Sequence, residues 1–183
     1  MKTTEQRIRS RVQKARRNGL TGIYVWSPWR GEINAFAAAS AQGEWSAEGE
    51  RLRMSTLEML GESLSEEGGA SWLKLAVGMS EAGQVVAFGL LDEDSVEHGF
   101  ELITLAAQEG KGFGSALLAA VAQRVGGGEL FLNAGPSAEG YYDLMGLEGA
   151  DGWRSLPGEI CQTVGKLLNE VGITIQEQAP VLD

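Results

Sequence analysis

Three glycines that alternate just before an apolar helix are the residues best suited to chemistry in this chain. Gly110, Gly112 and Gly114 follow a strand-like apolar run at 100–107. Because glycine has no Cβ and adopts positive φ freely, the backbone N–H groups of such a turn can approach a ligand closely. Consecutive N–H groups at a helix N-terminus, together with the helix dipole, attract an anion. The segment predicts either a cradle for a phosphate, with Lys111 at its rim, or a tight strand-to-helix turn without a ligand.

Two common phosphate-binding motifs do not match this turn. The Walker A motif needs Gly-Lys followed by Ser or Thr, and the chain has no such string. The dinucleotide motif Gly-x-Gly-x-x-Gly fails because Ser115 or Leu117 occupies its third glycine position. A third pattern, Gln/Arg-x-x-Gly-x-Gly/Ala at the start of a helix, matches Glu109 to Gly114 except at its first residue.

This third pattern resembles the acyl-CoA-binding turn of the GNAT superfamily of acyl-CoA-dependent N-acyltransferases. Glu109 departs from the Gln or Arg that is usual at the first position, and Gln108 stands one residue earlier. A second segment, Ala-Glu-Gly-Tyr-Tyr-Asp-Leu-Met-Gly-Leu at 138–147, is similar to the family's Ala-x-x-Leu-Tyr-Glu-Lys-Leu-Gly-Phe. The two segments follow the family's order, and the resemblance covers about residues 56–150.

The resemblance implies the fold class and the donor site. We expect one GNAT-like α/β (α+β) domain over residues 1–183, with a mixed, mostly antiparallel sheet flanked by helices. Acyl-CoA would lie where the strands at 100–107 and 129–134 splay apart, and its pantetheine arm would pair with strand backbone. Asn133 would bind that arm or serve as a turn residue. The cofactor-binding residues implied are Leu105, Ala106, Glu109, Gly110, Lys111, Gly112, Phe113, Gly114, Ser115 and Asn133.

Acyl transfer to an amine also needs catalytic groups. The amine must lose a proton, the thioester oxygen needs an N–H donor, expected on the strand at 104–107, and the leaving thiolate must be protonated. Tyr142 occupies the position of the family's usual general acid; otherwise it is a packing aromatic. Glu101 is the candidate base, on a strand face that alternation would share with Ile103 and Leu105. Glu97, His98 or a water relay are the alternatives.

Other reactive or aromatic residues have simpler interpretations. Tyr141 adjoins Tyr142 and on a helix would point about 100° away, so the two cannot do the same job. Cys161 is most simply a small core residue. The five tryptophans are scattered and are typical of packing, although some could line an acceptor pocket.

Hydrophobic periodicity predicts the elements that position these residues. Ile8, Val12 and Ala15 predict a first helix that stops at Asn18-Gly19. Two apolar runs at 72–79 and 84–91 predict a hairpin around a glycine-containing turn. The further predicted elements are a strand at 21–28, a helix or strand at 33–40, a helix at 52–64 ended by Glu66-Glu67-Gly68-Gly69, a strand at 129–134, a helix at 137–146 with Ser137 as its N-cap, a helix at 159–171 and a strand at 173–177.

Charge is distributed unevenly along the chain. The formal net charge is −10, which disfavours binding of a nucleic-acid backbone and favours a cationic acceptor. The first 17 residues nevertheless carry seven of the fifteen Lys and Arg residues against one acid, Glu5. This segment is either an amphipathic helix with a solvated basic face or a basic arm for an anionic partner.

Composition limits the remaining function classes. The single cysteine excludes an internal disulfide, the single histidine excludes a multi-histidine zinc site, and we expect no metal. With no long apolar run and no secretory signal, a cytoplasmic protein without a membrane segment is expected.

Three functions stay open at this stage. The first is an N-acyltransferase that uses acetyl-CoA or another acyl-CoA and an amine of a small molecule or protein. The second, motivated by Glu109, is a non-catalytic GNAT-like module that binds a protein partner. The third is delivery of the domain to RNA or another polyanion by the basic arm. Whether the protein is a monomer or a homodimer is also open.

Overall fold

Seven strands form one mixed sheet in the computed structural model, which describes residues 1–64, 69–97, 99–133, 135, 138–149 and 151–182. In chain order they are β1 (Leu20–Trp26), β2 (Leu73–Ser80), β3 (Val85–Ser95), β4 (Gly99–Ala107), β5 (Leu130–Asn133), β6 (Trp153–Leu156) and β7 (Thr174–Gln176). Their spatial order is β6-β5-β4-β3-β2-β1-β7. The β4–β5 and β1–β7 pairs are parallel and the other pairs are antiparallel. The expected mixed, mostly antiparallel sheet is confirmed.

Helices cover both faces of this sheet. They are α1 (Thr4–Arg17), α2 (Arg30–Ser40), α3 (Ala47–Ser63), α4 (Phe113–Val125), α5 (Glu139–Met145), α6 (Gly158–Gly165) and α7 (Leu167–Val171). On one face of the sheet, a buried hydrophobic cluster packs the strands against α1 and α4 and includes Val12 and Leu117. A second cluster, with Phe36 and Leu60, joins the opposite face to α2 and α3. The predicted α/β class is therefore confirmed.

The first helix forms as its periodicity predicts. Thr3 caps it: its hydroxyl oxygen accepts from the Gln6 N–H at 3.2 Å, and the Gln6 side chain accepts from the Thr3 N–H at 3.0 Å. Ile8, Val12 and Ala15 are fully buried against the sheet and α4. The helix ends before Asn18, as expected.

Most other predicted elements are also present. The hairpin at 72–91 is β2 and β3, and the ambiguous segment 33–40 belongs to helix α2. The short helix predicted at 137–146 is α5, and it ends at Gly146 with φ of 84°. Two predictions, Ser137 as an N-cap and residues 66–68 as a helix stop, lie outside the described residues.

Two features of the C-terminal part differ from the predictions. The single helix expected at 159–171 is divided into α6 and α7, separated by a tight turn in which the Lys166 N–H donates to the Thr163 carbonyl. Gly165 lies so close to α4 that a Cβ there would stand 2.8 Å from Cα of Gln123. The close approach of the two helices favours a small residue at position 165. The hydrophobic periodicity of residues 159–171 gives no sign of this and indicates one continuous helix. Strand β6 was not predicted, because its four residues alternate too briefly to give a signal.

A bulge in β4 changes the predicted orientation of its side chains. Leu90 of β3 pairs with Thr104 and Leu91 with Leu102, so Ile103 is an extra residue on β4. Leu102 and Leu105 consequently both pack on the α4 side, whereas Ile103 packs on the α2 and α3 side. The prediction that Glu101, Ile103 and Leu105 share one face is wrong, since it assumed unbroken alternation.

Contact with α1 makes Gly112 a sensitive position for stability. Its φ is 82°, and a Cβ there would lie 2.2 Å from the Arg11 carbonyl oxygen. Gly110 has φ of 73°, and a Cβ added to it would meet no other atom within 4 Å. We expect Gly110→Ala to lower the free energy of unfolding by about 1–2 kcal/mol, the cost of a left-handed L-residue.

Gly112→Ala adds overpacking against α1, so its total loss should exceed that of Gly110→Ala by about 1–3 kcal/mol. Urea denaturation of both variants measures the difference. Equal losses would contradict the close packing of α1 on this turn.

Candidate functional site: a cleft between two diverging strands

The site begins where two parallel strands separate. β4 and β5 pair at Phe100–Leu130, Glu101–Phe131 and Leu102–Leu132. β5 ends at Asn133, whereas β4 continues to Ala107. Beyond Leu102, no strand of the described residues pairs with β4 on the β5 side, so the backbone groups on that edge can bond to a ligand.

A cleft of about 1050 Å³ occupies this gap and extends onto the helices on both sides of the sheet. β4 contributes Leu102 to Ala107, and Leu132 and Asn133 come from β5. The turn before α4 and residues of α5 also line it. The remaining lining residues are Lys2, Arg7, Ser10, Arg11, Lys14 and Arg17 from the N-terminal segment; Ser46, Glu48, Gly49, Arg51, Leu52, Ser55 and Met59 from α3 and its N-cap; and Gln108, Glu109, Gly110, Gly112, Gly114, Ser115, Gly135, Ala138, Tyr141, Tyr142 and Leu144.

The glycine turn supplies a row of unbonded amides at the cleft. Gly112 is the N-cap of α4, and the Ala116 N–H is the first in that helix to donate to a backbone carbonyl, that of Gly112 at 3.2 Å. Within the described part of the chain, the N–H groups of residues 109–115 donate to no protein acceptor. Free N–H groups at a helix N-terminus attract anions. The predicted phosphate cradle is therefore compatible with the geometry of the turn.

Most of the predicted donor-site residues come together here. Leu105, Ala106, Glu109, Gly110, Gly112, Gly114, Ser115 and Asn133 all line the cleft. Two are absent from the lining: Phe113, which is 2% exposed and packs in the core, and Lys111, which is exposed and whose backbone carbonyl accepts from the Asn18 side chain. The backbone N–H groups expected from both residues stay a prediction, as does the charge expected from Lys111 at the rim of the turn.

The two tyrosines of α5 both line the cleft, although neighbouring helical residues diverge. Their rings meet edge-on with centroids 5.0 Å apart. The Tyr141 hydroxyl lies 2.5 Å from Ser115 Oγ, while the Tyr142 hydroxyl bonds to no described residue. Burial raises the pKa of Tyr142 well above its usual value, and the neighbouring Tyr141 raises it further. Tyr142 is 6% exposed, so the cleft holds a neutral phenol at ordinary pH.

The candidate base does not join these residues. Glu101 pairs in register with Phe131 and is absent from the lining of the cleft. Glu97 is likewise absent from it, and His98 lies outside the described residues. The carboxylates of the described lining are Glu48 and Glu109. A hydrogen bond from Arg51 lowers the pKa of Glu48, which makes it a weak base.

Sequence reasoning did not place the basic first helix at this site. Arg7, Arg11, Lys14 and Arg17 line the cleft, as does Lys2 just before the helix. Charges at 7, 11 and 14 share one helical face by their spacing, which was a usable signal. The missing information was the packing of α1 against the turn, which links segments distant in the sequence.

Comparisons with known proteins give matches in structure only. No protein-family model matches the chain. No curated protein matches it in sequence. Solved structures do match. A histone acetyltransferase HPA2-related acetyltransferase from Corynebacterium glutamicum is 18% identical, with 76% of this chain and 96% of that chain covered and a TM-score of 0.46.

Two further matches are similar in extent. A GNAT-family acetyltransferase described from Desulfovibrio desulfuricans is 14% identical, with 73% of this chain and 99% of that chain covered and a TM-score of 0.49. A variant of the spermidine N-acetyltransferase from Vibrio cholerae is 12% identical, with coverage of 81% and 97% and a TM-score of 0.45. All three structures are described as acetyltransferases, and at such identities the similarity to this chain concerns the fold alone.

Among the described residues, no helix combines the length and the apolar character needed to cross a membrane.

The buried phenol gives a prediction on pH. Because the folded state holds Tyr142 neutral with a raised pKa, its proton is lost more easily from the unfolded chain, and stability falls as pH rises above about 10. Between about pH 9 and 11 we expect Tyr142→Phe to leave the phenolate absorbance of the folded protein unchanged. It should also lessen the fall in stability above about pH 10. If Tyr142→Phe shows less phenolate absorbance than the wild type in this pH range, the phenol of Tyr142 is not held neutral in the folded protein.

Proposed function

We propose that this protein is an acyltransferase that moves an acyl group from acyl-CoA to an amine. The cleft between β4 and β5 carries the proposal. It joins an unpaired strand edge, the unbonded amides of a glycine turn and a buried phenol in one cavity. Each of these matches a different part of an acyl-CoA thioester: the pantetheine amides, the pyrophosphate and the sulfur.

Donor binding uses backbone groups for the most part. The N–H groups of residues 109–115 would donate to the pyrophosphate, where the dipole of α4 favours negative charge. The free edge of β4 from Ile103 to Ala107 would pair with the pantetheine arm as an added strand. Asn133, exposed at the end of β5, would bind the other side of that arm. Backbone recognition of this kind tolerates many acyl groups, so the length of the acyl chain stays unassigned.

The reaction then follows from what surrounds the thioester. The neutral amine attacks the carbonyl carbon, and a backbone N–H of β4 stabilises the negative charge that develops on the oxygen. As the C–S bond breaks, Tyr142 donates its hydroxyl proton to the departing sulfur, and solvent restores that proton. The products are an amide and the free CoA thiol. The raised pKa of Tyr142 keeps its hydroxyl protonated until the C–S bond breaks.

A water relay is the base that we propose for the amine. Glu101 does not line the cleft, Glu48 is paired with Arg51, and Glu109 lies in the turn that would hold the pyrophosphate. The acceptor would enter on the α3 side, where Ser46, Ser55 and Met59 line the cleft. This wall mixes polar and apolar groups, and the acceptor that we propose is an amine of a small molecule or protein.

Binding and turnover test the proposal directly. Titration calorimetry should detect CoA and acetyl-CoA, and thiol release from acetyl-CoA should depend on an added polyamine, amino acid or lysine peptide. No binding of CoA at about millimolar concentration, an affinity of only about 4 kcal/mol, would reject the proposal. Binding without thiol release from any amine would favour the non-catalytic alternative.

Tyr142→Phe tests the acid. We expect kcat to fall at least about tenfold, since a positioned proton donor usually contributes about 10²–10⁴-fold, while the Kd for CoA stays unchanged. Tyr24→Phe is the matched control, because Tyr24 lies on β1 and does not line the cleft. An unchanged kcat in Tyr142→Phe would remove Tyr142 from the reaction.

A further inference from the structure

A row of cations on α1 forms one wall of the cleft. We define the cationic stripe as Arg7, Arg11, Lys14 and Arg17, which all line the cavity. Their spacing of four, three and three residues keeps them on one side of the helix, next to the buried face. The stripe faces the ligand cavity, although the net charge of the protein is −10.

These four cations lack the carboxylate partners that other basic residues have. Within the described part of the chain, no carboxylate lies within salt-bridge distance of any member of the stripe. Arg9, on another face of the same helix, pairs with both Glu5 and Glu170. Side-by-side cations repel one another, and an anion of high charge offsets that repulsion better than water does.

The stripe is held in register with the glycine turn. A Cβ on Gly112 would touch the Arg11 carbonyl, so the backbone of α1 lies directly against the turn. The Asn18 side chain donates to the Lys111 carbonyl at 3.4 Å, at the C-terminal end of the stripe. At its other end the Arg7 guanidinium donates to the Leu144 carbonyl of α5. The Arg11 guanidinium lies 5.3 Å from the centre of the Tyr141 ring. The stripe therefore runs along the cleft from the turn to α5.

The turn itself provides little side-chain charge for phosphate binding. Glu109 puts a negative charge at the position where the pattern usually has Gln or Arg, and Lys111 does not line the cleft. The amides suffice for a pyrophosphate lying on the turn, but CoA carries a further phosphate on its ribose. Lys14 and Arg17, which are exposed and nearest in sequence to the end of α1, have long side chains that suit this second group.

We infer that the cationic stripe of α1 binds the ribose 3′-phosphate of CoA, so that this protein distinguishes CoA from its dephosphorylated form. The inference rests on the proposed function and assigns the donor specificity of the same site. It makes the anionic partner of the basic N-terminal helix the phosphate of a bound CoA.

Donor analogues and paired variants test the inference. The wild-type protein should bind 3′-dephospho-CoA at least about tenfold more weakly than CoA, the difference expected for one charge-assisted contact. The double variant Lys14→Gln/Arg17→Gln should lose about that factor for CoA and nothing for 3′-dephospho-CoA. Arg16→Gln is the matched control, because Arg16 lies on the same helix and does not line the cleft. Thermal unfolding of each variant confirms that α1 stays folded.

The outcomes separate the inference from the proposed function. The 3′-phosphate assignment would be overturned if the wild type bound CoA and 3′-dephospho-CoA with equal affinity. It would also be overturned if the double variant lost the same factor in affinity for both ligands. In either case acyl-CoA binding itself would stand. If Arg16→Gln weakens CoA binding as much as the double variant does, the effect comes from overall positive charge and not from a specific contact. That result would also overturn the 3′-phosphate assignment. If neither ligand binds, the proposed function itself fails.

Discussion

The separation of β4 from β5 is the constraint on which the rest of the site depends. Parallel pairing stops at Leu102 and Leu132, and the strands β4 and β5 then diverge around the cleft. Three consequences follow from this one break: β4 keeps an unpaired edge, the next turn opens its amides to the same space, and α5 places Tyr142 at the cavity. A fully paired sheet would satisfy these backbone groups internally and leave nothing to bind a thioester.

The N-terminal helix matters for both stability and charge. Its buried residues, Ile8, Val12 and Ala15, extend the core on the α4 side of the sheet. One helical step away, the cationic stripe faces the cleft. Because a single helix carries both faces, the packing of α1 against Gly112 also determines where its positive charges lie. The opposite wall, from α3, has its Glu48 and Arg51 paired with each other, so the cleft is cationic mainly on one side.

Local patterns in the sequence predicted most of the helices and strands. The features that they did not predict depend on packing between distant segments or on local irregularities of a strand. The glycine turn, the hairpin and the helix that carries Tyr142 were all predictable, since each has a short, specific pattern. The bulge at Ile103 was not, because an extra residue leaves no mark in hydrophobic alternation, and it reversed the face expected for Leu105. The break before Lys166 and the place of α1 at the cleft depend on contacts between distant segments.

Amide chemical shifts in a CoA titration test the central claim most directly. If the turn and the free edge of β4 hold the donor, residues 103–107 and 109–115 should show the largest shifts in a ¹⁵N-labelled sample. Amides of β7, at the far edge of the sheet, should not move. Shifts that leave the turn unaffected while CoA binds elsewhere would contradict the account.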